Sequence, residues 1–226
     1  MMSRDPYVYP DGTLINKLNI RDYHELRKAE ADIGFLKLIN VDSVKNDKLN
    51  EELLCKIHHH IFENIFDWAG IYRTVPIYKE ELVIPGISLR YADVGSISKE
   101  LKKQMIDLNI TEWNLDNLDE VAYTFARKIA VMWKIHPFRD GNTRTFLSFA
   151  YIFAKANGFP FDIELFTKEL NRQHDENGKV LNYSVRDRFV LASLDDDHYP
   201  EVGPLASLFE AAMLSYKDKN VDVMNK

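Results

Sequence analysis

Nine consecutive residues hold most of the chemistry this chain offers: His136-Pro137-Phe138-Arg139-Asp140-Gly141-Asn142-Thr143-Arg144. They combine a base, a hard oxygen ligand, a flexible turn and cations. His136 is a candidate general base. Asp140 suits Mg²⁺, which binds through one or two carboxylates plus substrate phosphates. Gly141 and Asn142 tolerate positive φ, so backbone N–H groups there can turn inward around an anion. Phe138 is an apolar anchor for the turn. Arg144 falls in the first turn of a following helix and is placed to meet phosphate oxygens. A loop that ends at a helix N-terminus is a natural polyphosphate site.

The elements that must position this loop are helical. Asp116 to Trp133 carries Val121, Ala122, Phe125, Ile129, Met132 and Trp133 at helical spacing, with acidic residues in its first turn, and should stop near Pro137. Thr145 to Ala156 is apolar nearly all round, the pattern of a central buried helix, and ends at Gly158 and Pro160. Upstream, one helix is expected from Asp22, with Leu26, Ala29, Ile33 and Leu36 on its inner face. Others follow over about 49–62 and 97–108. Shorter ones are expected at 163–171, 184–194 and 203–217, before a polar, frayed tail from Lys217. Tyr72 to Tyr78 is β-branched and aromatic, and Pro76 restricts it to an edge strand or hairpin. The expected class is all-α with one small β-hairpin. The expected divisions are an arm and helix over 1–50, a core over 51–195, and a C-terminal helix and tail over 196–226.

Composition narrows the function. Among 226 residues the hydrophobic share is 46 % and the net charge is -6, with no basic stretch beyond Lys99, Lys102 and Lys103. Nucleic acid is therefore not an expected partner. Neither is a membrane, since no apolar run reaches the roughly 20 residues of a span. A lone Cys55 among apolar neighbours reads as a small core residue in a reducing compartment, the cytoplasm. His58-His59-His60 reads as amphipathic surface, because neighbouring helix positions point about 100° apart and cannot share one ion well.

The nine-residue run resembles the motif of the Fic (Fido) family, in which seven of nine fixed positions match. The match extends to Asp5-Pro6-Tyr7-Val8-Tyr9-Pro10 and Asn16-Lys17-Leu18, which resemble the N-terminal arm of toxin-type members. It extends also to Ile65-Phe66-Asp67-Trp68-Ala69-Gly70 and Arg73-Thr74-Val75, which resemble the entry to the family's flap hairpin. The resemblance implies a protein adenylyltransferase that uses ATP and Mg²⁺. His136 would be the base and Asp140 the metal ligand. Gly141, Asn142, Thr143 and Arg144 would bind nucleotide, with Arg139 and Lys79 joining that set. The flap residues Thr74, Val75, Pro76, Ile77 and Tyr78 would dock a protein substrate. The resemblance leaves room for a secreted effector and for a small antitoxin-type inhibitor.

The chain departs from the family pattern at two positions. Thr143 stands where the family has a second glycine, and Leu147 where it has a second arginine that grips the outer phosphates. The nearest copy of the family's inhibitory helix, Ser96 to Glu100, lies in mid-chain and is followed by Leu101. Two alternatives follow: a silent or weak nucleotide-binding module, and an enzyme that transfers phosphate or removes AMP.

Overall fold

The computed structural model describes residues 5–44, 48–79, 81–84, 86–166, 172–178, 180–195 and 198–224, with side chains through Tyr216 in the last helix. Among them run seven α-helices: α1 (Tyr23–Ile39), α2 (Glu51–Phe62), α3 (Ile97–Asn109), α4 (Leu118–Ile135), α5 (Asn142–Ala156), α6 (Val185–Ala192) and α7 (Gly203–Met224). Side-chain caps explain several of the starts. Asp22 accepts from the N–H groups of His24 and Glu25, Asn50 from that of Leu53, and Asn117 from that of Glu120. Ser184 and Asp187 form a reciprocal box at the start of α6.

The apolar face of α4 sits at the centre, packed on α3, α5, α6 and α7, while α2 bridges α1, α3 and α5. Phe125 of α4 is the hub of an aromatic cluster. Its ring lies 5.5 Å from Phe153, 5.6 Å from Phe159 and 5.4 Å from Phe209. This packing fixes the end of α4 against the start of α5, and so fixes the loop between them.

Four expectations need correction. The inner face of α1 is Leu26, Glu30, Gly34 and Leu38, while Leu36 is 62 % exposed. Two non-apolar residues replace part of the expected stripe because this face meets a guanidinium from α5. The stretch Tyr72 to Tyr78 forms no ladder; the two-stranded hairpin is β1 (Gln173–His174) with β2 (Val180–Asn182). Pro76 lacks an N–H, and neighbouring carbonyls are taken by the Arg73 side chain instead of a strand. Residues 163–166 form a 3-10 turn, and the rest of that expected helix lies outside the described residues apart from Arg172, which follows it. Helix α7 continues to Met224, through most of the expected tail.

Candidate active site

Helix α4 ends on His136, whose φ of 52° puts it in the left-handed region. A non-glycine residue there is held by its surroundings, and such strain gathers at functional sites. The hold comes from Arg73, which is 2 % exposed. Its Nε donates to the His136 carbonyl at 2.8 Å, NH1 to Val75 O at 3.0 Å and NH2 to Ala92 O at 2.5 Å. Its own N–H donates to Pro137 O at 2.8 Å. One side chain therefore ties the flap segment to the loop.

The His136 ring is fully buried and stacks on Tyr91 at 4.2 Å. Both ring nitrogens are buried without a hydrogen-bond partner. Such an orphaned group in a packed interior calls for a functional explanation. Burial pushes its pKa well below the ordinary histidine value, and the charges on Lys79 and Arg186 push the same way. The imidazole is neutral and open to a proton.

Asp140 faces two cations. Its Oδ1 is 3.8 Å from Lys79 Nζ and its Oδ2 is 3.8 Å from Arg27 NH1. Its Oδ1 also accepts the Gly141 N–H at 2.7 Å. Burial alone would raise its pKa. Lys79, Arg27, Arg144 and the Gly141 N–H outweigh that and hold the carboxyl well below the usual range. Among the described residues no three His, Cys, Asp or Glu side chains gather as a metal cage. A single ionised carboxylate beside an open helix end is the donor set that suits Mg²⁺ carried in on phosphates.

The loop rests on His58, which is fully buried on α2. Its Nδ1 accepts the Gly70 N–H at 2.8 Å, so Nε2 carries the proton and donates to Asp140 O at 3.1 Å. The ring stacks on Phe138 at 3.9 Å. Burial drives its pKa down to about 3. His58 and His136 are therefore neutral in the folded chain, but take up protons below about pH 6.5 once unfolded. Both folded pKa values are depressed, so this stability is present above pH 6.5 and is lost as pH falls. Unfolding free energy is expected to drop by about 2–3 kcal/mol between pH 7.5 and 5.5. Urea titrations at the two pH values check it, and equal stability would overturn it.

Gly141 caps α5 with φ 78° and offers no side chain to its first N–H groups. Those of Asn142, Thr143 and Arg144 have no partner within the helix and form the anion-facing end. A Cβ at position 141 would stand 2.3 Å from Phe62 Cε2 and 2.4 Å from Cζ. Gly141→Ala is expected to cost about 2–4 kcal/mol from the clash and the backbone penalty together. Thermal unfolding reads this directly.

The other candidates divide. Lys79 is at the site. Arg144 reaches Glu30, with NH2 at 2.6 Å from Oε2, and its guanidinium lies 4.5 Å over Phe62. The Thr143 hydroxyl turns aside to accept the Trp133 indole N–H at 3.1 Å, so it does not crowd the anion-facing end. Two more of them are engaged within the protein. The Asn142 amide braces the loop, donating to Phe138 O at 2.9 Å and accepting the Phe138 N–H at 3.0 Å. Arg139 is occupied by Asp5 at 2.8 Å, tethering the N-terminal arm. Leu147 is buried at 5 % exposure.

Sequence reasoning missed Arg73, Arg27, Glu30, Glu81, Tyr91 and Arg186. Buried Glu81 accepts the Tyr91 hydroxyl at 2.8 Å and a two-pronged contact from Arg186, which lies 5.6 Å over Trp133. These residues are scattered along the chain, and no local spacing marks them.

A neutral buried base, an ionised carboxylate and a helix N-terminus meet in one short loop between two helices. A profile of the Fic/DOC family matches residues 48–154, and the chain belongs to that family. It is 27 % identical over 164 residues to the protein adenylyltransferase VbhT of Bartonella schoenbuchensis, covering 71 % of this chain and 33 % of that protein. It is 29 % identical over 182 residues to the Escherichia coli protein named as a probable adenylyltransferase, Fic, covering 78 % of this chain and 86 % of that one. A solved Fic domain of a cell filamentation protein from Bartonella quintana, with bound ADP, matches with a TM-score of 0.69 at 25 % identity over 91 % of this chain and 93 % of the other. The chain spans about a third of the length of the Bartonella adenylyltransferases it matches.

Proposed function

We propose that this chain transfers AMP from ATP to a Ser, Thr or Tyr hydroxyl of a protein. The observation that carries the proposal is the neutral, unpartnered His136 ring beside Asp140 and the open end of α5. The substrate oxygen attacks the α-phosphorus, its proton passes to the His136 ring, and the bond to pyrophosphate breaks. The N–H groups of Asn142 to Arg144 and the Lys79 ammonium face the charge that develops. Asp140 would hold Mg²⁺, which supplies charge neutralisation at the phosphates.

The flap supports protein docking. Thr74, Pro76 and Tyr78 are exposed while Val75 and Ile77 are partly covered, and the segment forms no ladder with another strand among the described residues. An extended target segment would add to it by backbone pairing. A small inhibitor protein of the antitoxin type, a cytoplasmic site of action and release as an effector all fit this reading. Among the described residues no helix is long and apolar enough to cross a membrane.

The test is incubation with lysate, Mg²⁺ and ATP labelled at the α-phosphate or, separately, at the γ-phosphate, with His136→Ala alongside. Label on protein that disappears with the variant supports AMP transfer. Label arriving only from the γ position would replace the proposal with phosphate transfer. The apolar Leu147 favours a second reading, a silent nucleotide-binding module, which predicts no label from either position.

A further inference from the structure

We propose that Arg27 of α1, together with Arg144, holds the outermost phosphate of the nucleotide. This rests on the nucleotide reading above. A triphosphate anchored at the end of α5 and at Asp140 extends one bridging oxygen further from the base, and its terminal charge needs a cation. Leu147 cannot supply one.

The other cations near the loop are committed. Arg139 is engaged by Asp5. Arg186 is held by Glu81. Lys79 stands at Oδ1 of Asp140 and lowers the pKa of His136, so it belongs to the reacting end. Arg27 stands at the opposite oxygen, Oδ2, with its side chain 48 % exposed. Together with Arg144, Glu30, Phe35 and Phe166 it lines a cavity of about 230 Å³.

The charges in that corner do not balance. Among the described residues Arg27, Arg144 and Lys79 make their ion pairs with two carboxylates, Asp140 and Glu30. Glu30 holds both guanidiniums through one oxygen, Oε2, at 3.2 and 2.6 Å. Three cations around one corner, one of them a half-exposed guanidinium, suit a phosphate group. Gly34 leaves the room: a Cβ there would lie 3.1 Å from Arg144 NH1.

Calorimetric titration of the full chain with Mg²⁺ and a non-hydrolysable ATP analogue, and separately with AMP, tests the assignment. Arg27→Met, which keeps the length of the side chain, should weaken the analogue by about 10–100-fold, the worth of one charge-assisted contact. AMP affinity should stay within about twofold, and Arg27→Lys should keep part of the lost affinity. An unchanged analogue affinity in Arg27→Met, or a parallel fall for AMP, overturns the role of Arg27 alone. Failure of the unaltered chain to bind either nucleotide overturns the nucleotide reading and this assignment with it.

Discussion

His136→Ala is expected to lower the rate of AMP transfer by about 10²–10⁴-fold, the usual worth of a positioned general base. Nucleotide affinity should change little, because the groups assigned to phosphate sit on Lys79, on Arg144 and at the end of α5. The ring is held on one side by Tyr91, whose hydroxyl is fixed by buried Glu81. Burial and two nearby cations keep it unprotonated. A base in that state needs no prior loss of a proton. A single-turnover measurement at saturating ATP separates chemistry from binding. A variant that retains more than a tenth of the rate would remove His136 from the proposed role.

Arg73→Met should unfold the chain far more readily, by about 3–5 kcal/mol. Three backbone carbonyls, those of His136, Val75 and Ala92, accept from this guanidinium. Hydrogen bonds to a charged donor are worth about 1.5–3 kcal/mol each. Desolvation of the buried cation returns part of that total, and its pKa is lowered chiefly by burial. The substitution leaves carbonyls in the interior without donors and frees the left-handed turn at His136. Urea unfolding measures the loss, and a cost below about 1 kcal/mol would mean that water or a neighbour replaces the contacts. Because the same residue links flap and loop, nucleotide affinity should fall in the folded remainder of the sample.

The central helices were legible from spacing. The stripe Val121, Phe125, Ile129, Met132 repeats at the helical period, and all four are buried. The stop before Pro137 follows from backbone sterics. The flap segment was misread as paired strand because β-branched residues report a preference for extended backbone and say nothing of a partner. Glu30 on the inner face of α1 was invisible, since a buried carboxylate is unreadable until its guanidinium is found 114 residues away.

Local rules were enough for the stop of α4 before Pro137, the glycine at position 141 and the set of reactive groups in the loop, because each depends on a residue and its near neighbours. The neutrality of His136, the ionisation of Asp140, the bracing duty of Asn142 and the diversion of Arg139 to Asp5 came only with packing. The states of His136 and Asp140 are set by burial and by charges that reach the loop from α1, α6 and the flap, and Arg139 is drawn away by the N-terminal arm. Desolvation and Coulomb interactions act across space, so residues distant in the chain decide what the loop's own residues do.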